Sequence, residues 1–209
     1  IVTDHKKAPQ QGKNVAVKGD LGQSAAGKTD KNGELTVPEV EQTERHGVYI
    51  VGYTDGTFGP SRSMTRSEAA AIFARLLAEK NGDTISTAAN TKFADIPAHA
   101  WYSGYVKYLS NNGITYGKSK TIFAPNDAIT RAEFTTMAVR FFDVYGDGDA
   151  EIMEQFSGFN DVSSGYWAAE YIKYAALHGW INGYGDGSFH ADREINRAEV
   201  VTIVNRLLG

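Results

Sequence analysis

Three segments of the chain carry apolar residues at the spacing of an amphipathic helix. In each segment they recur at i, i+3, i+4, i+7 and i+8, so they share one helical face. The positions are Ala69, Ile72, Phe73, Leu76 and Leu77, then Phe134, Met137, Ala138, Phe141 and Phe142, and finally Val200, Ile203, Val204, Leu207 and Leu208. Such a face is too wide for a helix that lies alone. We therefore expect three helices that bury these faces against one another around a pseudo-threefold axis.

Each of these helices is predicted to begin at a capping box. The start sequences are TRSE at 65–68, TRAE at 130–133 and NRAE at 196–199. The side chain of the first residue caps the helix, and the glutamate reaches back to the backbone N–H of that residue. The second residue is an arginine in all three copies. A cation at this position faces the positive end of the helix dipole, which is disfavoured by a few tenths to about 1 kcal/mol.

Two explanations of these arginines are open. Beside free backbone N–H groups, a guanidinium would complete a binding site for one carboxylate or phosphate. Alternatively, each arginine bridges to a carboxylate of a neighbouring repeat and has a structural role. The threefold recurrence does not separate the two explanations, because a duplication copies structural residues as well.

The three helices belong to an internal repeat. FADI at 93–96 recurs 66 residues later as FNDV at 159–162, and a tryptophan follows each of them at the same distance. GYTDGTF at 52–58 aligns with GYGDGSF at 183–189, and in all three copies an arginine follows the last phenylalanine by eight residues. This constant spacing indicates a duplicated unit.

The complete unit is predicted to fold as a helix, a tight loop and a second, capped helix. The first helix spans about 101–112 in one copy and 167–178 in the other, and a glycine that can adopt positive φ ends each of them. The loop contains Asp-Gly, which suits turns that need positive φ. Residues 79–92 and 143–158 are predicted to be linkers between repeats.

The first 45 residues have a different composition, without aromatic side chains. Strands or a hairpin are predicted at 15–17 and 35–37, with Asn32-Gly33 between them. The apolar surface of this segment is too small for a core of its own.

Composition and charge narrow the range of possible functions. The chain has no cysteine, which excludes disulfides and thiolate metal sites, and its net charge of −4 argues against general nucleic-acid binding. No apolar run approaches the roughly 18 residues of a membrane span. YGDGD at 145–149 resembles a calcium loop only superficially, because it lacks regular acidic spacing. No nucleophile–base pair stands out, so we expect no metal, no cofactor and no catalytic residue.

The combination of motifs resembles S-layer homology (SLH) domains, triple repeats of bacterial surface proteins. The matching motifs are Phe-x-Asp-(Val/Ile), the Trp…Tyr helix, Gly-Tyr-x-Asp-Gly-x-Phe and (Thr/Asn)-Arg-(Ala/Ser)-Glu. The resemblance implies a shortened repeat at 46–82 and complete repeats at 93–145 and 159–209. It also implies a mainly α monomer that forms an internal pseudo-trimer, with a central three-helix bundle and helix-loop prongs. Residues 1–45 would be a linker or the end of an upstream β-rich surface domain, with a weaker similarity to a prealbumin-like repeat.

The resemblance also implies a function. SLH domains are non-catalytic modules that anchor secreted proteins to the cell wall and the S-layer. They bind secondary cell wall polysaccharide, often with a pyruvate ketal on N-acetylmannosamine, in grooves between repeats. The ligand arginines of the family correspond to Arg66, Arg131 and Arg197.

Further candidate ligand residues lie in the same motifs. Aromatic rings could stack on sugars, and aspartates could accept hydrogen bonds from sugar hydroxyl groups. Alternatively, the tryptophans are core anchors and the aspartates cap the helix that follows. The candidate residues are Trp101, Trp167, Tyr53, Tyr184, Asp95 and Asp161, together with the loop glycines Gly52, Gly117 and Gly183.

The repeats are not identical, so three equivalent sites are not expected. The first repeat lacks the Phe-x-Asp element and the tryptophan helix, and the second has GKSKT at 117–121 in place of Gly-Tyr-x-Asp-Gly. We expect the groove that involves the complete repeats to dominate, so Arg131 or Arg197 should matter more than Arg66. Two other functions stay open: a protein-binding helical repeat, or a part appended to a glycan-active enzyme.

Overall fold

The computed structural model describes three short strands near the N-terminus and residues 47–145 and 156–209. Most of the predicted linker 143–158, nearly all of the acidic loop 145–149 and the Asn32-Gly33 turn lie outside the described residues. The chain divides into two compact units, Ile1–Arg45 and His46–Gly209.

The first unit contains a small antiparallel sheet. Its strands are β1 (Asn14–Lys18), β2 (Ser24–Thr29) and β3 (Leu35–Thr36), in the order β1-β2-β3. The predicted segment 15–17 forms most of β1, and the predicted segment 35–37 contains all of β3. They do not pair as a hairpin, because β2 lies between them and pairs with both.

The second unit is built from helices, so the predicted mainly α class is confirmed. Five helices lie in the described part of this unit. They are α1 (Arg66–Asn81), α2 (Ser103–Asn111), α3 (Arg131–Tyr145), α4 (Ala169–Leu177) and α5 (Arg197–Leu208). The predicted apolar faces of α1, α3 and α5 enter one core, in which Phe73 packs against Phe134 and Phe141 at ring-centroid distances of 5.2 and 5.0 Å.

The first helices of the complete repeats pack on the outside of this core. α2 lies against α1, and α4 lies against α3. Both begin about two residues later than predicted. Each ends before a glycine with positive φ, Gly113 at 74° and Gly179 at 70°, as the sequence predicted.

The starts of α1, α3 and α5 are joined in a closed ring. All three predicted capping boxes are present, with Thr65, Thr130 and Asn196 as the capping residues. Just before each helix, a short β-bridge connects one repeat to another. The bridges join Ser63 to Asn196, Thr65 to Ala128, and Thr130 to Glu194. This cyclic order supports the predicted pseudo-threefold arrangement of the repeats.

Candidate ligand grooves between the repeats

The three motif arginines are buried and bind the loop of the next repeat. Their side chains are only 5%, 7% and 3% exposed, in chain order. Each Nε donates a hydrogen bond of 2.8 to 2.9 Å to the carbonyl oxygen of the loop phenylalanine in the following repeat. The pairs are Arg66 with Phe123, Arg131 with Phe189, and Arg197 with Phe58.

Each arginine also forms an ion pair with the capping-box glutamate of the next helix. The Arg–Glu distances are 3.0 Å for Arg66–Glu133, 3.0 Å for Arg131–Glu199 and 3.7 Å for Arg197–Glu68. The glutamate uses Oε1 for the arginine and Oε2 for the N–H of its own capping residue. One carboxylate therefore caps its helix and connects two repeats.

Burial shifts the pKa of one of the three motif arginines. It lowers the pKa of Arg131, whereas Tyr184 and Glu199 act in the opposite direction. A guanidinium still stays charged at any pH at which proteins are folded. Arg131 therefore keeps its charge for the ion pair with Glu199.

The first N–H groups of the three helices are occupied by the protein itself. In α1, the N–H of Arg66 donates to the carbonyl of Asp127 at 2.9 Å, and the N–H of Ser67 donates to Pro125 at 3.0 Å. The starts of α3 and α5 have the same two bonds from the following repeat. The hypothesis that these N–H groups are free for an anionic ligand is therefore wrong. The bridging explanation agrees with the geometry, because neighbouring carbonyls and a glutamate compensate the unfavourable dipole.

The two aspartates hold the loops rather than cap the helices that follow. Asp95 accepts from the backbone N–H groups of Phe123 and Ala124 at 2.9 and 2.6 Å. Asp161 accepts from Phe189 and His190 in the same way, at 2.7 Å each. Burial alone would raise the pKa of Asp161, but these backbone hydrogen bonds outweigh it and lower that pKa. A ligand role for either aspartate stays a prediction.

One groove, called groove A, lies where the shortened repeat meets the other two. It has a volume of about 260 Å³. It brings together four of the predicted site residues, Gly52, Tyr53, Trp101 and Arg197. The other lining residues are Ile50, Val51, Met64, Glu68, Ala71, Ile72 and Arg75.

A second groove, called groove C, lies between the second and third repeats. It has a volume of about 340 Å³ and contains Arg131, Gly183 and Tyr184 of the predicted set. Trp180 also lines it but is only 3% exposed. Groove C therefore has no exposed tryptophan among its lining residues, in contrast to groove A.

The predicted tryptophans lie at the surface. Trp101 is 55% exposed and Trp167 is 56% exposed, so the alternative that they are buried core anchors is wrong. Trp101 packs edge-on against Tyr105, at 6.3 Å between ring centroids. Trp167 takes the equivalent place in the third repeat, next to Tyr166.

The loop glycines are required by close packing. A Cβ at Gly117 would lie 2.4 Å from the Phe93 ring, and a Cβ at Gly183 would lie 2.4 Å from the Phe159 ring. At Gly52 the nearest atom to a Cβ would be a backbone oxygen at 3.0 Å. These contacts explain why glycine occurs here, and a ligand contact at these positions stays a prediction.

The sequence reasoning missed a second set of arginines. Arg75, Arg140 and Arg206 each follow a motif arginine by nine residues. Nine residues are two and a half helical turns, so the two arginines of one helix point in opposite directions. Arg75 lines groove A and Arg206 lines groove C. The regular nine-residue spacing was the signal that could have revealed them.

Among the described residues, no group of three or more metal-binding side chains lies close enough to bind an ion. The described helices also include none that is both long and apolar enough to cross a membrane.

A ring of three repeats with grooves between them is typical of a binding module built by duplication. The model of the S-layer homology domain family matches residues 36–70, 92–135 and 158–201, more than half of the chain. The chain therefore belongs to the S-layer homology domain family.

Three relatives are each 32% identical to this chain. A cellulosome-anchoring protein of Acetivibrio thermocellus aligns over 88% of this chain and 41% of its own length. A surface-layer 125 kDa protein of Lysinibacillus sphaericus aligns over 76% and 13%, and an exoglucanase of Acetivibrio thermocellus over 76% and 14%. The chain thus spans less than half the length of these relatives. The family and the first two relatives support the expected location at the bacterial cell surface.

Proposed function

We propose that this chain is a non-catalytic anchoring module that binds an anionic secondary cell wall polysaccharide in its inter-repeat grooves. It does so as a monomer, because the ring of repeats closes within one chain. The observation that carries the proposal is the composition of groove A, where the exposed ring of Trp101 and the cations Arg75 and Arg197 line one cavity.

This combination of residues suits an acidic sugar. An exposed tryptophan offers a flat apolar face, on which the apolar face of a sugar ring can stack. Arginine binds carboxylates through paired N–H donors. A pyruvate ketal adds a carboxylate to a sugar, so one unit of such a polymer would use both features of the groove.

The carboxylate in the groove argues against glycoside hydrolysis. Glu68 is the one acidic side chain that lines groove A, and it is engaged with Arg197 and with its own helix start. Glu199 has the same position in groove C. Hydrolysis of a glycosidic bond needs two carboxyl groups on either side of the bond. We therefore expect no glycoside hydrolysis in these two grooves.

The position of the tryptophans changes which groove is expected to contribute most to ligand binding. Groove C lies between the two complete repeats, which the sequence had favoured as the dominant site. Groove A contains an exposed tryptophan and groove C does not. We therefore propose that groove A contributes more to binding than groove C.

Binding to purified cell walls tests the proposal. The walls are used intact, after removal of the pyruvate ketals, and after removal of the whole secondary polymer. We expect retention on intact walls, a large loss without ketals, and no retention without the polymer. Retention should also fall with added salt, because charge attraction is screened over roughly 8 to 10 Å at physiological ionic strength. Equal retention on all three preparations would reject the polymer as the ligand, and release of sugars would reject the non-catalytic assignment.

A further inference from the structure

The two sets of arginines differ in how far the protein itself satisfies them. Arg197 donates from Nε to Phe58 and from Nη2 to Val51, and its Nη1 lies 3.7 Å from Glu68. All three of its nitrogens are thus engaged. Arg66 and Arg131 likewise use Nε for a carbonyl and Nη1 for a glutamate. These side chains are almost completely buried and have little capacity left for a ligand.

The arginines of the second set have no acidic partner in the described part of the chain. Within the described residues, Arg75 contacts the carbonyl of Tyr49 at 3.2 Å and the hydroxyl of Tyr105 at 3.5 Å, and its guanidinium lies 5.1 Å from the centre of the Tyr105 ring. Arg140 donates from Nε and Nη2 to the hydroxyl of Tyr171. Neither of them forms an ion pair with a carboxylate of the described part of the chain.

A half-buried cation without a carboxylate is unusual. Charged groups that leave water are normally paired, because their desolvation is unfavourable. A guanidinium has five N–H donors, and Arg75 uses at most two of them. The remaining donors belong to a side chain that lines groove A, opposite the loop of the first repeat.

The tyrosines fix the direction of these cations. Arg140 lies between two rings, with its guanidinium carbon 4.8 Å from the centre of the Tyr116 ring and 5.0 Å from that of Tyr171. Stacking on aromatic faces leaves the edge of a guanidinium available for a planar anion. This edge could form the paired hydrogen bonds that a carboxylate accepts.

We propose that Arg75 in groove A, and Arg140 in the equivalent place between Tyr116 and Tyr171, bind the anionic group of the ligand, whereas Arg66, Arg131 and Arg197 hold the ring of repeats together. The proposal rests on the function proposed above and assigns the charge recognition to residues outside the Thr-Arg-Ala-Glu motif. The equivalent Arg206 has no first helix of a complete repeat beside it. Its Nη1 lies 3.3 Å from the side-chain oxygen of Asn182 once that amide is correctly oriented. We therefore expect Arg206 to contribute less.

Titration calorimetry with a synthetic pyruvylated N-acetylmannosamine glycoside tests this assignment. The proteins are the wild type, Arg75→Gln, Arg140→Gln, the double variant, Arg206→Gln and, as a matched control, Lys107→Gln, which removes an exposed cation that lines neither groove. The probe is compared with the same glycoside without the ketal. We expect each single variant to lose about tenfold to a hundredfold in affinity at one groove, as is typical of a lost charged hydrogen bond. The double variant should lose most of the binding, Arg206→Gln should lose less than either single variant, and Lys107→Gln should bind as the wild type does.

Thermal melts distinguish a loss of ligand binding from a loss of folding. All of these variants should melt within a few degrees of the wild type, because the proposal gives these arginines no role in the ring. A further variant, Arg75→Lys, keeps the charge and should recover binding only in part, since lysine lacks the planar fork. Wild-type affinity of the double variant, or a loss of affinity that only follows a loss of folding, would overturn the assignment. A wild type that binds neither the glycoside nor cell walls would instead overturn the proposed function.

Discussion

The loop of the shortened first repeat differs from the loops of the two complete repeats in one backbone position. After the loop phenylalanine, Ala124 and His190 have φ values of 59° and 55°, in the left-handed region that disfavours side chains. Asp95 and Asp161 stabilise these two positions through hydrogen bonds to the backbone. The first repeat has no such aspartate, and glycine occurs there, with φ of 60° at Gly59. The first repeat therefore keeps this loop conformation without the Phe-x-Asp element, because glycine adopts positive φ without stabilisation by an aspartate.

The central helices show a related difference. α1 and α3 are covered by a first helix, and the equivalent positions Ala74 and Val139 are 0% and 4% exposed. α5 would be covered by the first helix that the shortened repeat lacks. Its equivalent residue, Asn205, is exposed and accepts a hydrogen bond from the Tyr49 hydroxyl at 2.7 Å. A polar face thus replaces an apolar one where no helix of the described residues packs.

The second repeat departs from the other two through a pair of substitutions. In the first repeat, the guanidinium of Arg62 lies 3.9 Å from the centre of the Tyr53 ring. In the second repeat the same two positions are Asp127 and Lys118, which form an ion pair at 3.1 Å. The GKSKT sequence therefore keeps an attraction between these positions and replaces a cation–π contact by an ion pair. Both contacts lie near the surface and contribute modestly to stability.

The largest effect is expected where the ring closes on the shortened repeat. Arg197→Ala removes the hydrogen bonds to Phe58 and Val51 and leaves Glu68 without its cation. Removal of one partner of a buried ion pair typically costs about 3–5 kcal/mol. Arg131→Ala should cost no more, because Asp161 also holds the loop that Arg131 contacts. Denaturant unfolding of both variants measures the difference. If either variant is as stable as the wild type, the arginine contributes no net stability, and its unfavourable interaction with the helix dipole outweighs its contacts with the next repeat.

The next effect concerns the aspartate that only the complete repeats possess. Asp161→Ala should reduce the free energy of unfolding by roughly 2–4 kcal/mol, because two backbone N–H groups lose their acceptor and one of them belongs to the fully buried Phe189. The neighbouring Asn160→Ala is the matched control, and it removes only an exposed hydrogen bond to Asp186. Adding His190→Gly to Asp161→Ala should recover about 1 kcal/mol. No recovery would mean that the left-handed backbone is not what the aspartate stabilises.

The opposite substitution, of glycine by alanine, tests the loop conformation of the first repeat. Gly59→Ala should cost about 1–2 kcal/mol, because alanine disfavours positive φ. Its Cβ would also lie 2.8 Å from Cδ of Arg62, a flexible side chain that can shift. His190→Gly alone is the opposite substitution at the equivalent position and should be neutral or slightly stabilising. The unfolding midpoints of the two variants would contradict the comparison if they moved in the same direction.

The elements that are encoded locally could be predicted from the sequence. The capping boxes, the apolar faces and the glycines that end α2 and α4 depend on residues within a few positions of one another. The partners of Arg131 and Asp161 could not be predicted, since they lie 58 and 28 residues away along the chain at Phe189. Finding them requires the placement of one repeat against another. For Arg75, the nine-residue spacing from Arg66 places it on the opposite face of α1, a signal that the sequence contains outside the capping motif.

The smallest expected effect is a difference in acid stability between the loops. The pKa of Asp161 is lowered in the folded protein, as explained above by its backbone hydrogen bonds. A group with a lowered folded pKa stabilises the fold fully above its unfolded pKa, which is about 3.9 for aspartate. That contribution disappears as the pH falls through the folded pKa. Unfolding at pH 7 and at a series of values below pH 4 measures it.

Asp161→Asn removes this titration while it keeps one acceptor oxygen for the loop. The stability of the variant should therefore fall less steeply than that of the wild type below about pH 4. Gly59 marks the equivalent position in the first repeat, which has no counterpart of Asp161, so the first repeat should contribute nothing to this difference. Since Asp161 is largely accessible to solvent, screening keeps the effect small. Parallel acid profiles of the two proteins would show that the backbone hydrogen bonds, and not the charge of the carboxylate, account for the stabilisation.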